Sequence, residues 1–272
     1  MAERTIIYYY SGSGNTLSVA KKIADELGNT DLKSIYSLKE VAHVPSEYTR
    51  VGIATATWFI RPPRIVKEIC EKLELQKNQK VFIIATCGGY DGFVLIDLKA
   101  ILQPKVCAPI QTFMLPMPPN HIVGFSPVPD GIVKIYLNHE RKATKKIANA
   151  IKENKETKNR KGRFRKAWNR ASRTYNLHLG VDRDSTEGGF YTTDACTKCG
   201  ACEKICHAGN IHLTDDGVKW GHDCQQCMAC IMWCPQKAIW HPNAPEGRRR
   251  YHHPDISIND MIGMESKSKD IQ

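Results

Sequence analysis

The sequence predicts an α/β protein with a doubly wound, five-stranded parallel sheet, followed by a small α+β domain that is rich in cysteine. Two observations predict this class. Short apolar runs alternate with amphipathic stretches over residues 1–138, which is typical of parallel strands joined by helices. Eight of the 11 cysteines then fall between Cys196 and Cys234, too densely for ordinary packing residues.

The predicted strands are short and rich in Val, Ile and Tyr, as buried parallel strands tend to be. We expect them at residues 5–10, 31–36, 50–56, 80–86 and 105–113, of which 31–36 has the weakest pattern. Apolar residues at helical spacing predict helices at 17–27, 65–73 and 93–101. A further helix, expected from residue 138 to about 173, becomes very basic along its length.

The composition is that of a soluble globular protein, with 42% hydrophobic and 25% charged residues among 272. No apolar run approaches the roughly 18 residues that a membrane span needs, and the run at 5–10 is too short for a signal peptide. We therefore expect a cytoplasmic protein. In that reducing compartment, clustered cysteines indicate metal ligands rather than disulfides.

The net charge of +11 belongs to one segment of the chain. Residues 141–173 hold 14 Lys or Arg and two Asp or Glu, a local charge of +12, so the rest of the chain carries −1. Phe164, Trp168 and Tyr175 lie among or beside these charges, a combination that suits nucleic-acid binding. The alternative, which we favour, is a solvated helix face that docks an acidic redox partner or acidic patches of the protein's own domains.

The clustered cysteines form an internal repeat. Each half has the spacing Cys-x2-Cys-x2-Cys-x3-Cys, and every cysteine of the first half recurs 28 residues later. Three cysteines at this spacing can wrap one iron–sulfur cubane, while the fourth binds the other cluster. The segment resembles the bacterial-type ferredoxins with two [4Fe-4S] clusters. This resemblance implies that one cluster takes Cys196, Cys199, Cys202 and Cys234, and that the other takes Cys224, Cys227, Cys230 and Cys206.

Zinc is the alternative, but zinc ribbons use two cysteine pairs separated by a longer loop. One residue departs from the ferredoxin pattern, because His207 rather than proline follows Cys206. We hypothesise that its extra backbone N–H raises the potential of the Cys206 cluster. Between the two halves, residues 211–213 and 218–220 flank an Asp-Asp-Gly turn and predict a hairpin.

The loop after the first strand suits a phosphate, because it combines hydroxyls, glycine N–H groups and a helix N-terminus. Its residues are Ser11, Gly12, Ser13, Gly14, Asn15 and Thr16. A dinucleotide fingerprint would need glycine where Leu17 stands, and a P-loop would need Gly-Lys-Ser/Thr. A Gly-Ser turn can also be only a helix cap. The loop matches the Ser/Thr-x-Ser/Thr-Gly-Asn-Thr phosphate loop of the flavodoxins, which this region resembles.

The flavodoxin resemblance implies FMN, a strand order of 2-1-3-4-5, and a flavin ring held between aromatic side chains after the third and fourth strands. The residues in those two loops are Thr57, Trp58 and Phe59, then Thr86, Cys87, Gly88, Gly89, Tyr90 and Asp91. Trp58 and Tyr90 occupy the aromatic positions, and the alternative for each is surface or core packing. Residues 117–121, after the fifth strand, are a further candidate lining.

These motifs divide the chain into a flavodoxin-like FMN domain at 1–155, a basic helix or linker at 156–189, a ferredoxin domain at 190–241 and a tail at 242–272. The whole resembles anaerobe proteins in which a flavodoxin is fused to a two-cluster ferredoxin. This implies electron transfer between FMN, the clusters and a redox partner, with no catalytic residue. The alternative is an FMN-dependent reductase of a quinone, nitro compound or disulfide, with His121 or Cys87 as proton donor. The tail is expected either to fold back over a cofactor or to be mobile.

Overall fold

The computed structural model describes residues 3–123, 126–157, 189–244 and 246–263. These residues divide into two units. Among the described residues, the first unit comprises 3–11, 15–118 and 129–157. The second comprises 12–14, 119–123, 126–128, 189–244 and 246–263.

The first unit is built on a five-stranded parallel sheet in the order β2-β1-β3-β4-β5. This confirms the predicted order, which is that of flavodoxin-like doubly wound sheets. The strands are β1 (Thr5–Tyr9), β2 (Thr30–Ser34), β3 (Arg50–Ala56), β4 (Lys80–Cys87) and β5 (Gln111–Pro116). Almost every residue of β1, β3 and β4 is buried, which explains their continuous apolar runs.

Two pairs of helices flank this sheet. They are α1 (Asn15–Leu27), α2 (Arg64–Lys72), α3 (Val94–Leu102) and α4 (Asp130–Lys152), with 3-10 turns at Ile35–Leu38 and Gln103–Lys105. Helix α1 packs against α4, and α2 packs against α3. Within the described ranges, no helix is both long enough and apolar enough to span a bilayer.

Two predicted elements in the first unit are misplaced. Strand β5 starts at Gln111 rather than at 105. The side-chain amide of Gln103 donates to Ala108 O and accepts from Ile110 N, both at 3.0 Å, and these bonds hold the residues before Gln111 in a loop. Helix α4 starts eight residues before the predicted 138, where Pro129 precedes Asp130 in the first turn. It ends at Lys152 rather than near 173, since Asn154 adopts a left-handed φ of 48°. The basic residues from 158 to 173, with Phe164, Trp168 and Tyr175, lie outside the described residues.

Among its described residues, the second unit holds two small antiparallel sheets and three short helices. The strand pairs are β6 (Tyr191–Thr192) with β9 (Ile239–Trp240), and β7 (Ile211–Thr214) with β8 (Gly217–Trp220). The helices are α5 (Ala201–Ile205), α6 (Ala229–Met232) and α7 (Ile258–Ile262). The β7–β8 pair is the predicted hairpin. The core of the second unit is formed by apolar residues from both halves of the repeat, including Ile205, Ile211, Ile231 and Ile239.

Residues 246–263 of the tail pack within the second unit. Tyr251 and His253 are buried, and the His253 N–H donates to Ser13 O at 2.8 Å. The rings of His252 and Trp233 stack with centroids 4.3 Å apart. Helix α7 starts with a capping box in which Ser257 and Asp260 bond each other's backbone N–H groups. The Ser-x-x-Asp spacing is the sequence signal that would have predicted this helix.

Candidate cofactor sites

The backbone of the second unit repeats with the period of its cysteines. Three pairs of residues, each pair 28 positions apart, adopt left-handed φ values, which non-glycine residues rarely adopt. The pairs are Lys198 (53°) with Gln226 (48°), Gly200 (75°) with Met228 (63°), and Gly209 (63°) with Lys237 (52°). Helices α5 and α6 also start 28 residues apart. The two halves therefore share one backbone path, which presents their cysteines in the same way.

Backbone N–H groups point at the sulfur atoms in both halves. Asn210 N donates to Cys206 Sγ and Ala238 N donates to Cys234 Sγ, both at 3.3 Å and 28 residues apart. Gln226 N donates to Cys224 Sγ at 3.3 Å. Such bonds stabilise a thiolate and tune the potential of the metal that it binds. The loops are thus arranged for charged sulfur ligands.

A partly open cavity lies beside the first half of the repeat. Its sulfur lining comes from Cys196, Cys199 and Cys202 of the first half and from Cys234 of the second. The pKa of the Cys202 thiol is raised to about 11, chiefly by burial and also by the nearby Cys234 and Cys196 sulfurs. Three sequential cysteines and one distant cysteine therefore face a common space.

The second set of cysteines also combines the two halves. The pKa of Cys227 is raised to about 12, chiefly by burial and also by the nearby Cys206 and Cys224 sulfurs. Burial, together with Cys227 and Cys224, also raises the pKa of Cys230 well above its usual range. Within the described ranges, no three His, Cys, Asp or Glu side chains converge on a position for a single metal ion.

Glycine in the loop after β1 serves close packing within the second unit, to which residues 12–14 belong. A Cβ at Gly12 would overlap the carbonyl oxygen of Cys227, and Gly12 O accepts from Trp233 Nε1 at 2.9 Å. Gly12 was expected to bind a phosphate, and its packing role was not predicted from the sequence. No local motif signals it, because the contacting residues are more than 200 positions away.

Two hydroxyls at the carboxyl edge of the sheet are buried without a hydrogen-bond partner among the described residues. They are Ser11 Oγ, directly after β1, and Thr57 Oγ1, directly after β3. Ser11 is only 3% exposed. Buried hydroxyls in native proteins are almost always bonded, so these two atoms indicate a polar ligand. Both were predicted as FMN-binding residues.

The neighbouring candidates hold loops together instead. Thr16 Oγ1 and Thr86 Oγ1 share a hydrogen bond of 2.8 Å that joins the start of α1 to β4. Asn15 Nδ2 donates to Pro118 O at 3.0 Å, which fixes the chain after β5. These side chains shape the edge of the sheet around the two unpartnered hydroxyls.

The loop after β3 is a tight and strained turn. Trp58 and Arg61 bond each other's backbone at 2.8 and 2.9 Å. The two residues between them, Phe59 (φ 40°) and Ile60 (φ 63°), are both left-handed. A β-branched residue in this region is a genuine outlier. Strain of this kind clusters at ligand-binding loops.

The loop after β4 braces that turn. Phe93 N donates to Ile60 O at 2.8 Å, and Gly92 lies so close to the Ile60 backbone that a Cβ would overlap it. The loops after β3 and β4, predicted to flank one ligand, are therefore in direct contact. The rings of Trp58 and Phe59 meet edge to face at 4.5 Å.

The remaining candidates in the β4 loop differ widely in exposure. Cys87 and Asp91 are buried, whereas the Tyr90 side chain is 49% exposed. Gly88 O accepts from Tyr136 Oη of α4 at 3.2 Å, and Gly89 adopts a φ of 139°. Tyr90 thus presents an aromatic face to solvent at the edge where ligands of this fold bind.

His121 is a poor candidate for an acid catalyst. Burial, and to a smaller extent the neighbouring His241, lowers its pKa to about 4. The ring is therefore neutral at pH 7. His121 also groups with the second unit, whereas Met117 groups with the first.

No protein-family model matches the chain, and no curated protein matches it. Among solved structures, it is similar to a flavoprotein in complex with FMN from Lactobacillus acidophilus, at 19% identity and a TM-score of 0.32 over 42% of this chain and 93% of that one. The two-electron reduced flavodoxin of Megasphaera elsdenii matches at 18% identity and 0.33, over 40% and 84%. An FMN-dependent NADH-azoreductase from Bacillus anthracis matches at 10% identity and 0.38, over 55% and 99%. These scores are too low to carry an inference about chemistry.

Proposed function

We propose that this chain is an electron-transfer protein that holds FMN in its first unit and two [4Fe-4S] clusters in its second. The observation that carries the proposal is the cavity shared by Cys196, Cys199 and Cys202 with the distant Cys234. Three closely spaced thiolates and one remote thiolate are the ligand set of a cubane in two-cluster ferredoxins. Soft sulfur ligands also suit iron–sulfur chemistry.

The first unit supports FMN through its unpartnered polar groups. The Ser11 and Thr57 hydroxyls would donate to the phosphate and to polar atoms of the flavin, respectively. The helix α1 N-terminus adds a positive end without a Lys or Arg side chain. The strained turn at Trp58–Arg61 and the exposed Tyr90 would orient the ring. FMN exchanges one or two electrons, whereas each cubane exchanges one, so the pair can link both kinds of reaction.

The second unit supports the clusters through crossed ligation. Cys206 would bind with Cys224, Cys227 and Cys230, just as Cys234 would bind with the first three cysteines. The three N–H···S bonds to Cys206, Cys224 and Cys234 would hold those sulfurs in place. Electron transfer then needs only position and tuning from the protein.

A carrier suits the described side chains better than a reductase does. His121, the candidate proton donor, is neutral at pH 7 because burial lowers its pKa to about 4. Cys87, the other candidate proton donor, is buried with 6% of its surface exposed, and buried cysteines of this kind are usually inert. The proposed role of these groups is packing.

We further propose that the redox partner is an acidic protein. Helix α4 and the turn after it expose a stripe of seven basic side chains, which are Lys134, Arg141, Lys142, Lys145, Lys146, Lys152 and Lys155. Such a stripe steers partners of opposite charge. It lies on the helix whose Tyr136 bonds Gly88 of the proposed flavin loop.

Anaerobic purification followed by iron, sulfide and flavin analysis tests the proposal. We expect about eight iron atoms, from two cubanes, and one FMN per chain. Cys202→Ser should lose iron and a cluster signal in electron paramagnetic resonance. Cys107→Ser, an exposed cysteine outside both sets, should lose neither. Zinc in place of iron, or a colourless protein, would refute the proposal.

Two further assays distinguish the alternatives. Turnover of a quinone, a nitro compound or a disulfide with dithionite as donor would favour the reductase. Sub-micromolar binding of RNA at physiological salt, lost on Lys or Arg→Gln changes, would favour nucleic acid. If the chain is an electron carrier, we expect neither turnover of these compounds nor RNA binding of this strength.

A further inference from the structure

Arg250 joins the tail to the second half of the cysteine repeat. Its guanidinium donates to the carbonyl oxygens of Ile231 at 2.7 Å, Lys237 at 2.5 Å and Ile239 at 2.7 Å. It also lies over the Trp240 ring, 4.5 Å from the centroid. Three hydrogen bonds from one side chain fix the position of its charge closely.

These contacts place the charge beside two cluster cysteines. Ile231 directly follows Cys230. Lys237 and Ile239 flank Ala238, whose N–H donates to Cys234 Sγ at 3.3 Å. Burial lowers the pKa of the half-buried Arg250 guanidinium, while the Cys234 and Cys230 sulfurs favour its charged form. An arginine stays protonated in proteins, so this is a permanent positive charge.

We propose that Arg250 raises the reduction potential of the cluster that Cys234 binds, by holding a fixed cation next to that ligand. The inference rests on the proposed function, because it requires a cluster at these cysteines. Reduction adds one negative charge to a cubane, and a nearby cation stabilises the reduced state more than the oxidised one. Hydrogen bonds, net charge and burial around the sulfurs are the levers that set such potentials.

The same geometry makes the two clusters unequal. In the first half, the tail instead contacts His207, which follows Cys206, through a carbonyl group, since His207 Nε2 donates to Met261 O at 3.0 Å. Arg250 bonds two carbonyl groups, Lys237 O and Ile239 O, on either side of the Ala238 N–H that donates to Cys234 Sγ, but only one, Ile231 O, beside Cys230. The charge of Arg250 therefore acts mainly on the cluster of Cys196, Cys199, Cys202 and Cys234.

The test is a redox titration of the anaerobic full-length protein, followed by electron paramagnetic resonance. Arg250→Gln should clearly lower the potential of the cluster that Cys234 binds, and should lower the potential of the other cluster less. Arg250→Lys, which keeps the charge, should stay near the wild-type values. Arg249→Gln is the matched control, because it removes the same charge from an exposed neighbour and should shift neither potential.

The outcomes separate this inference from the proposed function. Wild-type protein without iron overturns the proposed function and with it this inference. Full iron content with unchanged potentials in Arg250→Gln overturns the inference alone. Should Arg250→Gln lose iron, Arg250→Lys decides: retention of iron and potential supports the role of the charge, and loss of iron contradicts it.

Discussion

At the residue scale, the candidate flavin site is marked by groups that the fold leaves unsatisfied. Ser11 Oγ and Thr57 Oγ1 are buried without partners among the described residues, and Ile60 adopts a left-handed φ of 63°. Each of these features costs free energy in the protein alone. A ligand that bonds the hydroxyls would offset part of that cost.

We predict that Ser11→Ala weakens FMN binding without destabilising the protein. A hydrogen bond to a charged group contributes about 1.5–3 kcal/mol, so the dissociation constant should rise about 10- to 150-fold. Removing a buried hydroxyl that lacks a partner should leave the melting temperature of the flavin-free protein unchanged or slightly higher. Flavin fluorescence quenching and a thermal melt measure the two effects.

Thr30→Ala is the control for this substitution. Thr30 lies at the amino end of β2, where its hydroxyl donates to Gly28 O, away from the edge that carries Ser11. Its removal should leave the affinity for FMN unchanged. If Ser11→Ala binds FMN as tightly as the wild type, the phosphate lies elsewhere.

We predict that Gly92→Ala destabilises the first unit by roughly 1–3 kcal/mol. Gly92 has a φ of 61°, and a Cβ there would overlap the Ile60 backbone. Relief of that overlap should also displace the Trp58 turn and weaken FMN binding. Urea denaturation monitored by circular dichroism, with an FMN titration, measures both.

Gly131→Ala tests whether these effects are specific to Gly92. Gly131 lies in α4 with open space around its Cα, and alanine is favoured over glycine there by about 0.5–1 kcal/mol. This variant should therefore be slightly more stable than the wild type. Equal destabilisation by both substitutions would contradict the steric argument.

At the element scale, helices α1 and α4 are joined by a buried polar cluster. Glu140 of α4 is fully buried and accepts from Ser18 Oγ at 2.7 Å and from Lys22 Nζ at 3.0 Å. Removing one partner of a buried ion pair usually destabilises a protein strongly, whereas replacing both by apolar residues is often neutral. The pair therefore fixes which faces of the two helices meet.

We predict that Lys22→Met costs about 3–5 kcal/mol of stability because Glu140 stays buried without its cation. The double variant Lys22→Met/Glu140→Leu should recover most of that loss. Lys145→Met breaks an exposed pair with Glu26, in which Lys145 is 71% exposed, and should change stability by less than about 1 kcal/mol. Chemical denaturation measures the free energy of unfolding of the three variants. A double variant whose two substitutions cost stability additively would contradict this prediction.

The accuracy of the predicted elements follows from how local their determinants are. Strands β1, β3 and β4 were predicted within one residue, because burial on both faces leaves a continuous apolar run. Strand β5 was misplaced because Val106 and Ile110 are buried from a loop rather than from a strand. Helix α4 was started too late because its first turn exposes Ile132 and Ile135, which breaks the amphipathic pattern.

The features of the candidate sites also differ in whether local sequence determines them. The cysteine spacing and the phosphate loop are local patterns and could be found in the sequence. Arg250 and the strained turn at Ile60 could not, because their roles depend on contacts with residues distant in the chain or on a backbone conformation that isoleucine disfavours.

At the scale of the whole molecule, the two units differ in what stabilises them. The first unit has a five-stranded sheet with helices on its faces and a large apolar core. The second has strands of two to four residues and buried thiols such as Cys227 and Cys230, whose pKa values burial raises. A small domain with so little regular structure usually depends on its metal for folding.

We therefore predict that anaerobic removal of iron by a chelator unfolds the second unit and leaves the first unit folded. Hydrogen exchange should become fast in β7, β8 and α6, and at the His253 amide that bonds Ser13 O, while β3 and β4 keep their protection. Removal of FMN by dialysis is the reciprocal control, and should raise exchange only in the loops after β3 and β4. Since the apolar core of the first unit involves no cluster cysteine, a loss of protection in β3 and β4 on iron removal would show that the clusters stabilise the sheet as well, contrary to this account.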